Sequence, residues 1–152
     1  MIEIKDILTP DRILIECHIK SKKRVLQLLS QLLTEQLEDI TPQEILSCFV
    51  KRENLGSTAI GHGTALPHAR IAGLEQPLAA YIQLHDAIEY DTEDHHQVKF
   101  FFGLIVPEDC NAEHLHLLSQ IAERFHDEAF RTAISDAKTP EEVCQLFAFV
   151  HT

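Results

Sequence analysis

Tryptophan is absent from this 152-residue chain, methionine occurs once, and basic side chains are scarce: 13 Lys and Arg stand against 24 Asp and Glu, a formal net charge of -11. That balance excludes a nucleic-acid partner, because a phosphate backbone is neutralised by lysine and arginine. It favours encounter with basic protein surfaces, chiefly by speeding association, with plain solubility as the alternative reading. No apolar run approaches the ~20 residues that span a bilayer, and no basic-then-apolar leader opens the chain. A cytoplasmic protein without membrane insertion is therefore expected. The four cysteines, Cys17, Cys48, Cys110 and Cys144, form no Cys-x-x-Cys pair. Each lies in an apolar context, which predicts buried, reduced thiols.

Other absences remove whole classes of chemistry. Gly56-x-x-x-x-Gly61 has P-loop spacing but continues as His62-Gly63, without the lysine and hydroxyl that nucleotide hydrolysis needs. No Gly-x-Ser-x-Gly elbow presents a nucleophilic serine. Ten histidines invite a metal reading, yet His95-His96 has no nearby cysteine partner and His114-x-His116 on a helix points its rings apart. No metal site and no cofactor are expected. His85, Asp86, Glu89, Asp91, Glu93, Asp94, His95 and His96 are instead predicted to form a solvated acidic connection.

What is present suits a single domain over residues 1–152. Hydrophobic residues make up 45% of the chain, eight Phe join many Leu and Ile, and no linker or repeat divides it. Ile13, Ile15 and Cys17 alternate with Leu14 and Glu16 as in a short strand. Ser21 precedes a stripe of helical period through Val25, Leu26, Leu28, Leu29, Leu32 and Leu33. Lys22, Lys23 and Arg24 in its first turn have the wrong sign for a helix N-terminus and are expected to form an exposed basic spot. Thr41-Pro42-Gln43-Glu44 and Thr139-Pro140-Glu141-Glu142 each place Thr at N-cap, Pro at N1 and Glu at N3. The first of these helices should end near Arg52, and the second should bury Val143, Leu146, Phe147 and Val150. Strands are predicted over Leu78–Leu84 and Val98–Val106, the latter covered on both faces. Asn111 should cap a helix with Leu118, Ile121 and Phe125 along one side, and Asp127 a helix holding Phe130 and Ile134. Strands interspersed with helices give an α/β fold, a mixed sheet flanked by helices on both sides in three layers.

The most informative window runs from Arg52 to His68. It sets an arginine, the glycines Gly56, Gly61 and Gly63, and the hydroxyls Ser57 and Thr58 ahead of a proline-anchored histidine. Pro67 fixes its own φ and pushes Leu66 towards an extended conformation, so the chain reaches His68 with little freedom. An imidazole held this way is presented to a partner, whereas a mobile loop with an incidental histidine is the alternative. Phosphoryl transfer is mostly positioning plus stabilisation of charge on equatorial oxygens. Backbone N–H groups, a guanidinium and short hydroxyls supply that stabilisation, and the window contains all three.

Arg52-Glu53, Ser57-Thr58, Gly61-His62-Gly63 and Ala65-Leu66-Pro67-His68, in that order, resemble the phosphorylation site of mannitol/fructose-type IIA proteins of the bacterial phosphotransferase system. Within that family the standalone nitrogen-regulatory IIA proteins offer the nearest likeness. Phe102-Gly103-Leu104-Ile105-Val106-Pro107 resembles the family's central strand, and Glu113-His114-Leu115-His116-Leu117-Leu118 its second active-site segment. The resemblance implies the same α/β sandwich and a phosphohistidine at His68. It matches Arg52 to the family's active-site arginine, whose fork fits phosphate oxygens as lysine cannot. A charge answering the helix dipole is the alternative role. It matches His114, and not His116, to the second active-site histidine.

Helix phase agrees: 114, 118, 121 and 125 form one line facing the core, while 116 lies about 200° round the axis from 114. A core-edge histidine bonded to a carbonyl is the alternative for His114. Ser57, Thr58, Gly61 and Gly63 are candidate phosphate-binding residues, although short hydroxyls in loops usually bond adjacent main chain. His62 departs from the family's small polar residue, as either a second basic group near the phosphate or plain variation. Thr64 and Ala69-Arg70 are milder departures. The implied partners are a histidine phosphocarrier protein (HPr-like) and either regulatory targets or a IIB domain of a sugar-transport system.

Overall fold

The computed structural model describes residues 2–91, 93–109 and 112–148. In chain order the elements are α1 (Ile4–Ile7), β1 (Ile13–Cys17), α2 (Lys22–Thr34), α3 (Pro42–Leu55), β2 (Ala59–Gly61), β3 (Thr64–Ala65) and β4 (His68–Ile71). They continue as β5 (Leu78–Glu89), β6 (Gln97–Pro107), α4 (Ala112–His126), α5 (Glu128–Ser135) and α6 (Pro140–Ala148). The sheet runs β1-β5-β6-β3-β2, and β4 also pairs with β6. β5 and β6 are antiparallel, whereas β1 lies parallel to β5, and β3 and β4 lie parallel to β6, one beyond the other. The sheet is therefore mixed.

Helices cover both faces. Ala80, Ile82 and Leu84 of β5 pack with Val25, Leu29 and Leu33 of α2 and Ile45 and Phe49 of α3. On the other face Ala79 and Tyr81, with Phe102 and Leu104 of β6, pack with Leu117, Ile121 and Phe125 of α4, Phe130 of α5 and Phe147 of α6. A strand covered twice is apolar on both faces, which is why β6 shows no alternation from Phe100 onward. Gly103 has a steric reason: a Cβ there would meet Leu29 Cδ2 at 3.2 Å. Its pairing with Ala80 keeps the sheet low where α2 crosses. Arg12 is buried at the sheet edge and donates from Nε to Ala79 O at 2.9 Å and from Nη2 to Ile7 O at 2.7 Å.

Local signals placed most boundaries. Thr41, Asp127 and Thr139 cap as expected and Ser21 caps α2, their side-chain oxygens accepting from Glu44, Ala129, Glu142 and Arg24 N–H respectively. Cys110, Asn111 and Val150 lie outside the described residues. Several expectations need correction. α3 continues past Arg52 to Leu55. β5 continues to Glu89, so His85, Asp86 and Glu89 belong to a strand whose register shifts between Gln83 and Ile88. Within that shift His85, Asp86 and Ala87 are exposed, and Ile88 then returns to the core. A positive φ of 55° at Glu16 accompanies a register shift in β1, so Cys17 joins Leu14's face instead of Ile13's. Cys17, Cys48 and Cys144 are free thiols but half-buried rather than buried.

Candidate functional site

α3 delivers Arg52 to the edge of the sheet in its last turn, and the chain returns along β6 through β3 and β4. Leu66-Pro67 interrupts that return. Proline has no N–H for the ladder, but Pro67 O accepts from Leu104 N–H at 2.9 Å, and Leu66 N–H turns away to Thr58 O at 3.0 Å. Pairing with β6 resumes at His68, opposite Leu104. His68 therefore has a backbone fixed in the sheet and a ring projecting from it.

The ring is held at one nitrogen. His68 Nδ1 lies 2.8 Å from Leu66 O. A carbonyl only accepts, so Nδ1 carries the hydrogen and Nε2 keeps its lone pair. Burial pushes the imidazole's proton affinity below its ordinary value, and the nearby Arg52 charge lowers it further, while the Leu66 bond and Glu53 act in the opposite sense. The neutral ring is thus favoured near pH 7. Arg52 itself donates from Nη1 to Gly56 O at 2.8 Å. It answers the end of its own helix, the alternative role for that residue.

A cleft of about 690 Å³ opens between α3, β4 and the start of α4, lined among others by Arg52, His68, Arg70, His114, Leu115 and Leu118. A second recess of about 310 Å³ lies on the other side of Arg52 and His68 and is lined by Ser57, Thr58, Ile60, Leu66 and Leu118 among others. Arg52, His68 and His114 are thus brought together. His116 is exposed and does not line the cleft. The core stripe of α4 is Leu117, Ile121 and Phe125, one step from the expected phase. His114 and Leu118 sit beside that stripe and line the cleft, Leu118 packing against the core as well.

The loop donors behave differently from expectation. Thr58 is buried, and both its N–H and its hydroxyl donate to the Glu53 carboxylate. Its donors are therefore committed to the protein. Ser57 Oγ accepts from Ala59 N–H at 3.2 Å, the local bond common for short hydroxyls. Gly61 and Gly63 flank His62 in the β2–β3 turn with φ of 89° and 71° and line neither cleft nor recess. They serve the turn geometry instead. His62, also at positive φ, packs its ring against His126 at 5.2 Å between centroids. Among the described residues Asp91, Asp94 and His96 place ligand-type atoms within 4.8 Å of one another. His96 Nδ1 is hydrogen-bonded to Asp91 Oδ2 at 2.6 Å there, so the histidine at this turn is His96 with two aspartates, not the His95-His96 pair.

Two groups escaped sequence reasoning. Arg70 lines the cleft, and strand alternation puts it on the same side as His68, a period-two signal that was available. Glu53 is 9% exposed and ion-paired to Lys22 Nζ at 3.1 Å. Lys22 also lies 4.1 Å from the Tyr90 ring centroid, so it is not an exposed basic spot. The signal for this pair was a double misfit. Lys22 sits in the first turn of α2 and Glu53 in the last turn of α3, each the wrong sign for its helix end, and they pair with each other.

Comparison with known proteins gives the family and the fold. The sequence profile of the family described as "Phosphoenolpyruvate-dependent sugar phosphotransferase system, EIIA 2" matches residues 6–149, and the chain belongs to that family. A nitrogen regulatory protein of Pseudomonas aeruginosa is 38% identical over 146 residues, covering 96% of this chain and 95% of that protein. The crystal structure of nitrogen regulatory protein IIA-Ntr from Neisseria meningitidis superposes with a TM-score of 0.89 at 33% identity, covering 95% of this chain and 99% of that one. IIA mannitol from Escherichia coli, at 17% identity, shares the fold with a TM-score of 0.76 over 92% of this chain and 98% of its own. The same IIA protein has been solved in complex with phosphorylated enzyme IIB, again with a TM-score of 0.76, at 14% identity over 93% of this chain and 99% of that one. Among the described residues no helix is long and apolar enough to cross a membrane.

Proposed function

We propose that this chain is a cytoplasmic, nitrogen-regulatory-type IIA protein that accepts a phosphoryl group on His68 and controls its targets according to phosphorylation state. The observation that carries the proposal is the Nδ1–Leu66 O bond, which leaves the Nε2 lone pair as nucleophile in a cleft beside Arg52 and His114. In the transfer, Nε2 attacks phosphorus, and the N–P bond of a phosphorylated carrier histidine breaks. The carrier ring leaves neutral, and the positive charge it carried passes to the His68 imidazolium, whose Nδ1–H stays on Leu66 O. No proton needs to move. Arg52 and His114 stabilise the charge spread over the equatorial oxygens.

A protein partner suits the surroundings. Of four large apolar side chains left exposed among the described residues, Leu55 and Leu115 line the cleft and Ile60 the recess. Exposed apolar groups ringing a polar centre mark a docking surface. The high identity to nitrogen regulatory proteins favours regulation over sugar transport. The mannitol IIA–IIB complex keeps transfer to a IIB domain as the second reading.

The test is incubation with phosphoenolpyruvate and the general phosphotransferase proteins, followed by a chase with IIB domains and a pull-down from extract. Acid-labile, base-stable label lost in His68→Ala, with partners that differ between the two phosphorylation states, is expected. Acid-stable label, or full labelling of His68→Ala, refutes the acceptor. Identical partners together with rapid chase onto one IIB domain establish the transport reading.

A further inference from the structure

Glu53 is a carboxylate in an unfavourable place, buried and at the negative end of a helix dipole. Burial of such a group is sustained only by close partners, and its partners lead in one direction. Glu53 Oε1 accepts from Lys22 Nζ at 3.1 Å and from Thr58 N–H at 3.2 Å, and Oε2 accepts from the Thr58 hydroxyl. Thr58 O accepts from Leu66 N–H at 3.0 Å. Leu66 O accepts from His68 Nδ1–H at 2.8 Å. Tyr90 closes the far side, its hydroxyl 3.2 Å from Thr58 Oγ1 and its ring beneath the Lys22 ammonium.

We propose that Glu53, braced by Lys22, is a positioning residue for His68 that acts through the main chain of Thr58 and Leu66. Glu53 fixes Thr58 at both donors, so the Thr58 carbonyl has one direction. That carbonyl holds Leu66 at its N–H, and Pro67 restricts the remaining freedom of Leu66. The Leu66 carbonyl then has one direction too, and it selects the ring tautomer that exposes the Nε2 lone pair. The inference rests on His68 being the acceptor, but its first readout does not.

The experiment uses the full chain with 15N-labelled histidine and reads the His68 tautomer by two-bond proton–nitrogen NMR correlations. Transfer kinetics from the phosphorylated carrier are measured beside it. The wild type is expected to hold hydrogen on Nδ1 alone. Glu53→Gln keeps the shape and one acceptor but removes the charge. It should show an Nε2–H population and a kcat lowered by about 10²-fold with KM unchanged, the cost of a misplaced reacting group. Thr58→Val keeps the main chain and loses only the hydroxyl, and it should show a smaller change of the same kind. A folded Glu53→Gln with wild-type tautomer and kcat overturns the proposal. Where Glu53→Gln does not fold, an unchanged tautomer in Thr58→Val overturns it instead. A wild type that holds Nδ1–H yet takes no phosphoryl group refutes the acceptor reading and leaves the tautomer test of Glu53 standing.

Discussion

Replacing Arg52 separates the two things its guanidinium does. One is local: Nη1 donates to Gly56 O at 2.8 Å near the end of α3. An exposed bond of this kind contributes about 0.5–1.5 kcal/mol, and a cation at a helix C-terminus about 0.3–1 kcal/mol. Arg52→Ala should therefore cost about 1–2 kcal/mol of stability on those two counts together. The other is the role proposed for it at the transferring phosphoryl group, where losing one charged donor would cost about 2.7–4 kcal/mol of barrier, or 10²–10³ in rate. Arg52→Lys restores the charge but not the fork, so it should recover most of the stability and little of the rate. Thermal melts and rapid-quench measurement of transfer to each variant read the two effects separately. NMR titration supplies a third check: without the Arg52 charge the His68 pKa should rise from its lowered position towards the ordinary 6.5. A rate loss under about tenfold, less than ~1.4 kcal/mol, would refute the role at the phosphoryl group. So would full rescue of the rate by lysine.

Three further outcomes are expected. His114→Ala should fold and lose about 10²-fold in transfer rate while His116→Ala stays near wild type, and equal losses would show that the cleft-facing helix phase is misassigned. The His68 pKa is lowered on folding, so between the folded and unfolded values the unfolded chain binds more protons; its contribution to stability is fully present above 6.5 and is lost as pH falls through the folded value. Transfer should likewise hold constant from neutral pH to somewhat below 6.5 and fall only beyond that, which a pH–rate profile beside a denaturation series will check. Arg12→Met leaves the Ala79 and Ile7 carbonyls without their donor, which should cost about 1–3 kcal/mol in urea denaturation and leave transfer by the folded protein unchanged.

The residues that announced themselves in the sequence are those whose signal is local. Thr-Pro-x-Glu marks a helix start wherever it falls, and the almost uniformly apolar stretch from Val98 to Val106, broken only by Lys99, suits a strand covered twice. Pro67-His68 is likewise a local statement about backbone freedom. What stayed hidden depended on where the chain returns. Thr58 looked like a phosphate donor because nothing nearby in sequence says its hydroxyl is taken by Glu53. Gly61 and Gly63 looked like a cradle, yet the hairpin that uses their positive φ points past the cleft. The extension of β5 to Glu89 could not be read from polarity, because the exposed positions 85–87 interrupt the strand before Ile88 returns to the core. Lys22 and Glu53 each broke a local rule, and two broken rules of opposite sign are a long-range contact in outline.

The pairing of β4 with β6 at His68 and Leu104 bears on how such a protein can carry information. The residue that would be marked is stitched by its main chain into the most protected layer of the molecule, with only its ring at the surface. Adding about -1.5 to -2 charges to that ring alters what an approaching surface feels without giving the backbone anywhere to go. A partner would have to sense the mark directly, by contact at the cleft rim, because the far faces of the protein have no mechanical route by which to hear of it. Binding surfaces that respond to the modification are therefore expected to include the neighbourhood of Arg52 and His114. Any that do not should be indifferent to it.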